Sequence, residues 1–181
     1  MRRAAGILFR VLLVAILALA AAIVWDRYYA PPADLPALVP PDRQIDRILV
    51  EKGARRLTVF RDGAALQSYP VALGFAPVGD KAREGDGRTP EGVFRVDRRN
   101  PDSAYHLSLG IDYPQPDDLA RAREGGYSPG GDIFIHGQPN GLGRFATLPH
   151  DWTAGCIAVP DRVIEALWAV TPVGTVVDIR P

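Results

Sequence analysis

The stretch 133–159 opens as Ile133-Phe134-Ile135-His136-Gly137 and closes as Thr153-Ala154-Gly155-Cys156-Ile157-Ala158-Val159. Each end is a short apolar run that meets one chemically active side chain. Ile133, Phe134 and Ile135 read as a buried strand that delivers His136 at its end, where a rigid backbone can aim an imidazole. Gly155 removes side-chain bulk before Cys156 and lets backbone N–H groups turn toward a developing oxyanion. A thiol attacks an acyl carbon only as thiolate, and a free Cys has a pKa near ~8.5. It therefore needs a neighbouring base, and His136, twenty residues earlier, supplies one.

Working outward, most apolar residues recur at a spacing of two. Ile48 and Val50, then Leu57 and Val59, alternate with polar neighbours, and Asp62-Gly63 marks a hairpin turn before a strand over 66–73. A loop rich in Gly, Pro and charge follows over 74–92, and strand character resumes over 93–96. Leu107, Leu109 and Ile111 alternate with His106, Ser108 and Gly110, which predicts a half-buried strand. Residues 116–124 read as a short polar helix ended by Gly125-Gly126. Pro160-Asp161 opens a second helix with Ile164, Leu167 and Trp168 on one face, and 175–179 closes as a strand. These elements predict a mostly β domain with one or two short helices, a curved sheet or sandwich around a Cys–His cleft.

The 181 residues carry 21 Lys plus Arg and 21 Asp plus Glu, so no global field recruits nucleic acid. The single cysteine excludes a disulfide scaffold and any multi-cysteine metal site. Residues 1–30 read as a cytoplasmic stub with a transmembrane anchor or a signal peptide. The run 11–25 is apolar throughout and follows Arg2, Arg3 and Arg10, which predicts that the rest of the chain lies outside the cytoplasm. Ala18-Leu19-Ala20 and Ala20-Ala21-Ala22 fit a cleavage site, in which case the protein is secreted rather than held at the cytoplasmic membrane. Pro31, Pro32, Pro36, Pro40 and Pro41 make 31–44 a stiff linker, and the globular domain is 45–181.

His136, a spacer of sixteen residues from Gly137 to Trp152, and Thr153-Ala154-Gly155-Cys156 together resemble the signature of the L,D-transpeptidase catalytic domain (YkuD) family, in its exported bacterial branch. Arg56-Leu57-Thr58, the Glu84-Gly85-Asp86-Gly87-Arg88-Thr89-Pro90-Glu91-Gly92 loop and Leu107-Ser108-Leu109 strengthen the resemblance. It implies that Cys156 is the nucleophile, His136 the general base and the Gly137 carbonyl the group that orients the imidazole. Backbone N–H groups of Cys156 and of the preceding Gly155 and Ala154 would hold the oxyanion. The implied substrate is a peptidoglycan stem peptide, acylated onto Cys156 as a thioester and passed to an amine, in the periplasm or wall. No metal or organic cofactor is implied. The family's second motif His is Ala154 here, and the Arg or Asn two residues after the Cys is Ala158.

Arg88, Asn140, Trp152, Thr153 and His106 are the candidate substrate contacts, each against a plainer role in shaping turns, walls or loops. Two other readings share the residues. Water in place of the amine makes the protein a carboxypeptidase or amidase of the wall, and loss of activity makes it a wall-binding module.

Overall fold

The computed structural model describes residues 2–28, 35–143 and 145–181, which fall into two units, Met1–Asp34 and Leu35–Pro181. The first unit holds the helix α1 (Arg2–Tyr28), whose described apolar side chains, among them Leu12, Leu17 and Ile23, are exposed. Among the described residues no helix is long and apolar enough to cross a membrane. The expected anchor is therefore not shown. Pro31 and Pro32 of the expected linker lie outside the described residues. Its second half is no free stalk. Pro41–Arg43 forms a tight helical turn, the Val39 N–H donates to the Ala169 carbonyl (2.8 Å) and the Ile45 N–H to that of Val170 (2.9 Å).

The second unit is built on eight strands: β1 (Arg47–Glu51), β2 (Arg56–Arg61), β3 (Ala64–Pro70), β4 (Gly92–Ser103), β5 (His106–Ile111), β6 (Phe134–His136), β7 (Ile157–Ala158) and β8 (Val176–Arg180). Their spatial order is β3-β2-β1-β8-β4-β5-β6-β7. Among the described strands, β1 pairs with β8 and β6 with β7 in parallel, and the other pairings are antiparallel. The twelve-residue β4 joins the two halves. Gly92 to Arg95 pair with β8, and Val96 onward pairs with β5 through two register shifts. Such irregularities bend a strand and increase its twist, so β4 can serve both halves. Ile48, Val50, Leu57, Val177 and Ile179 from one half join Leu109, Ile111, Ile135 and Ile157 from the other in one buried core.

Three sequence expectations shift. The strand over 66–73 stops at Pro70, which has no N–H to continue a ladder. The chain then crosses to β7, where Ala72 and Ala158 exchange both backbone hydrogen bonds (2.9 and 2.8 Å). The strand over 93–96 runs on to Ser103, because Asp97-Arg98-Arg99-Asn100 pairs through its backbone without any apolar alternation to announce it. The strand β5 is buried on both faces rather than half-buried, with the helix α3 (Asp161–Val170) packed against it. α3 buries Val163, Ile164, Leu167 and Trp168, the three- and four-residue spacing of one helical face. The polar helix α2 (Pro116–Gly125) is as expected. A reciprocal cap between Gln115 and Asp118 starts it, and Gly126 in the left-handed conformation (φ 68°) ends it.

Lys52, just after β1, is 2% exposed. Its ammonium donates to the Gly79 carbonyl (2.6 Å), the Thr89 carbonyl (2.9 Å) and Glu91 Oε1 (2.7 Å). All three of its donors are satisfied, which is what allows a buried lysine to persist. It fastens the loop between β3 and β4.

Candidate active site

β6 carries His136 as its last residue, and β7 begins one residue after Cys156. The parallel register pairs His136 with Ala158. Side chains alternate faces along a strand, so Cys156, two residues before Ala158, lies on the His136 face of the pair. The candidate nucleophile and base thus come from the residue just before β7 and the last residue of β6. Among the described residues no hydrogen bond joins them in this state, and the thiol instead donates to the Asp132 carbonyl at 3.5 Å.

The imidazole is closely held. His136 Nδ1 lies 2.7 Å from the Gly137 carbonyl oxygen. A carbonyl only accepts, so Nδ1 carries the hydrogen and Nε2 presents its lone pair. The Gly137 N–H in turn donates to the carbonyls of Tyr105 (3.0 Å) and Leu107 (3.2 Å). A Cβ on Gly137 would lie 2.7 Å from Asp161 Oδ1 and 2.9 Å from the Tyr105 oxygen, so only glycine fits. Tyr105 stacks on the imidazole with centroids 4.5 Å apart, and Trp152 meets it edge-on at 5.6 Å.

Burial lowers the pKa of His136 below the ordinary histidine value, partly offset by the bond to Gly137. Burial raises that of Cys156, and the Asp132 charge adds to it, while a Phe134 backbone hydrogen bond and the Lys81 charge act the other way. Both groups therefore rest neutral.

The turn before the nucleophile is set by Thr153. Its hydroxyl donates to the Cys156 carbonyl (2.7 Å) and accepts the Gly155 N–H (3.1 Å). Of the expected oxyanion donors, Gly155 is thus already engaged, while the N–H groups of Ala154 and Cys156 have no protein acceptor among the described residues. Gly155 sits at φ 142°, and a Cβ there would lie 2.7 Å from the Arg88 carbonyl oxygen, which seats the β3–β4 loop against the nucleophile's turn.

Asn140 and His106 stand back from the thiol. Asn140 accepts the His106 N–H (2.7 Å) and donates to the Ser103 carbonyl (3.0 Å), and His106 Nε2 meets Glu165 Oε1 at 2.8 Å. They brace the turn whose Tyr105 carbonyl receives the Gly137 N–H. Ala158 is 1% exposed and paired on both sides, so the longer residue of the family pattern has no room there. Sequence reasoning missed Tyr105, which has no motif around it. It also missed Lys81, 3% exposed, whose ammonium bonds Asp86 Oδ1 (2.9 Å) and the Arg83 carbonyl (3.2 Å).

YafK from Escherichia coli strain K12, a candidate L,D-transpeptidase, is 35% identical over 83 residues, 45% of this chain and 32% of YafK. The helical cell shape determining protein Pgp2 from Campylobacter jejuni matches with a TM-score of 0.58 at 26% identity, over 82% of this chain and 51% of Pgp2. Bd1075 from Bdellovibrio bacteriovorus matches with a TM-score of 0.54 at 26% identity, over 83% of this chain and 53% of Bd1075. The chain thus spans about a third of the curated relative and about half of each solved one. The L,D-transpeptidase catalytic domain (YkuD) family matches residues 45–179, the stretch that carries both Cys156 and His136, and the chain belongs to that family.

Proposed function

We propose that this protein is a cysteine acyltransferase of the bacterial cell envelope that acts on peptidoglycan stem peptides. The observation that carries the reading is the Nδ1–H bond from His136 to the Gly137 carbonyl, which leaves Nε2 a base on the strand beside Cys156. The thiol turns from the Asp132 carbonyl toward the ring. Nε2 takes its proton as sulfur adds to the carbonyl carbon of the third stem residue. The N–H groups of Cys156 and Ala154 receive the oxyanion. The C–N bond breaks, terminal D-Ala leaves with the proton held on Nε2, and a thioester to Cys156 remains. An amine of a second stem, deprotonated by His136, attacks the thioester and releases the thiol. Water in place of that amine yields a shortened stem and makes the protein a hydrolase. The arginines ahead of the apolar run 11–25 support placement of the domain outside the cytoplasm.

Incubation of the full chain with defined tetrapeptide muropeptides, read by mass spectrometry, tests the reading. Cross-linked products identify a transferase and tripeptides a hydrolase, while unchanged material overturns both. Cys156→Ser lowers turnover by at least ~10²-fold, since an alcohol is the weaker nucleophile at neutral pH. Turnover within tenfold of wild type removes Cys156 from the mechanism.

A further inference from the structure

The β3–β4 loop and the segment after α2 enclose a cavity of about 390 Å³ walled by Ala76, Ala82, Arg83, Asp86, Arg88 and Tyr127. We infer that this cavity is an anion subsite, which seats a free carboxylate of the stem peptide next to the acyl group that Cys156 attacks. The inference rests on the proposed action of Cys156 on stem peptides and adds the chemical feature by which they are chosen.

The cavity abuts the nucleophile's turn, because the Arg88 carbonyl packs on Gly155 and the Phe75 N–H donates to the Thr153 carbonyl (2.9 Å). Its one wall carboxylate, Asp86, is internally satisfied. It accepts the Lys81 ammonium and the N–H groups of Ala82 (2.8 Å), Arg83 (3.0 Å) and Arg88 (3.0 Å). The two guanidinium groups have no such balance. Arg83 forms no ion pair among the described residues, and Arg88 donates only to the Asp80 carbonyl oxygen (3.2 Å). Asp80's own carboxylate is turned to the Glu91 N–H (2.8 Å) and to Arg121 (3.5 Å). Among the lining residues, Arg83 and Arg88 against Asp86 leave a formal charge of +1, and Asp86 is itself paired with Lys81. Guanidinium forks bind carboxylates through paired, charge-assisted hydrogen bonds, and the volume suits one peptide side chain. A carboxamide at the same carbon fills the same space without the charge. Arg83 and Arg88 therefore make the site select acidic over amidated stems.

Cys156 is the chain's one thiol, so its alkylation reads the cavity without any turnover. The full chain is treated with iodoacetate or with iodoacetamide, and the rate ratio is compared with that of glutathione. Wild type favours iodoacetate about tenfold more than glutathione does, with saturation. Arg83→Gln and Arg88→Gln each bring the ratio back toward the glutathione value, and Arg83→Lys restores part of it. A wild-type ratio equal to that of glutathione, or one unmoved by both Gln variants, overturns the inference. In a second arm, stem peptides carrying a free carboxylate or its carboxamide are compared by kcat/KM. Equal processing of the two by an active enzyme overturns the subsite and leaves the acyltransferase standing. Iodoacetate preference with no stem turnover does the reverse.

Discussion

Two loops border the thiol, and they are fastened in opposite ways. The β3–β4 loop is pinned by buried ions. Lys52 gathers Gly79, Thr89 and Glu91, and Lys81 with Asp86 ties 81–88 into a knot. The β6–β7 loop is pinned at its start by the amides of Gln138 and Asn140, and at its end by Asp151, which pairs with Arg55 (2.8 Å) and accepts the Leu73 N–H (2.8 Å). Gln138, 1% exposed, donates to the Val159 carbonyl (2.8 Å) and accepts the Leu148 N–H (2.9 Å), while Asn140 bridges two backbone groups. A buried ion that loses its partner is stranded, whereas a lost neutral bond costs about one interaction. The first loop is therefore an all-or-none support that feels pH, and the amide bonds of the second are graded ones that do not.

The largest expected difference comes from Lys52→Met. It strands the Glu91 carboxylate and two carbonyls, and denaturant unfolding of the full chain should show a loss of roughly 3–5 kcal/mol. A loss under about 1 kcal/mol would erase the contrast between the loops. Acid comes next. Burial alone pushes the Asp86 carboxyl up, but the Arg83 N–H, the Lys81 ammonium and the N–H groups of Arg88 and Ala82 together bring it down to about 2. The folded protein then binds this proton less readily than the unfolded chain. The contribution, on the order of 2 kcal/mol, is complete above the ordinary Asp range and lost as pH falls from about 4 toward 2. Asp86→Asn should flatten that part of the stability–pH curve. A separate loss begins nearer pH ~6.5, because the pKa of His136 is lowered on folding and protonation favours the unfolded state. The smallest effect is that of Asn140→Ala, about 1 kcal/mol and the same at pH 7 and pH 4. A pH-dependent loss there would mean that the amide loop leans on charge after all.

The Gly137 carbonyl beside the imidazole was implied by the family resemblance, whereas strand positions with apolar alternation and the candidate residues His136 and Cys156 were legible in the sequence itself. These rest on local pattern, which a linear reading captures. The polar half of β4 was not legible, because backbone pairing alone makes it a strand. Nor was the closure of Ala72 onto Ala158, which joins residues 86 positions apart. The same distance problem hid Lys81. A lysine in a charged loop reads as solvated until the fold places Asp86 against it and buries both. His106 and Asn140 were singled out for their chemistry, yet their hydrogen bonds are to the frame around Gly137. Polarity in sequence signals bonding capacity, but the partner is a tertiary fact.

The third member of the proposed catalytic set is a main-chain oxygen, and no codon encodes or deletes it. An alanine scan across this domain would meet a two-residue machine and pass over the group that chooses the imidazole tautomer. Genetic drift can alter that group only indirectly, by placing a Cβ at Gly137 where Asp161 and Tyr105 leave no space. The orienting function is thereby inherited with the fold itself, and what a lineage must keep at that position is the absence of a side chain.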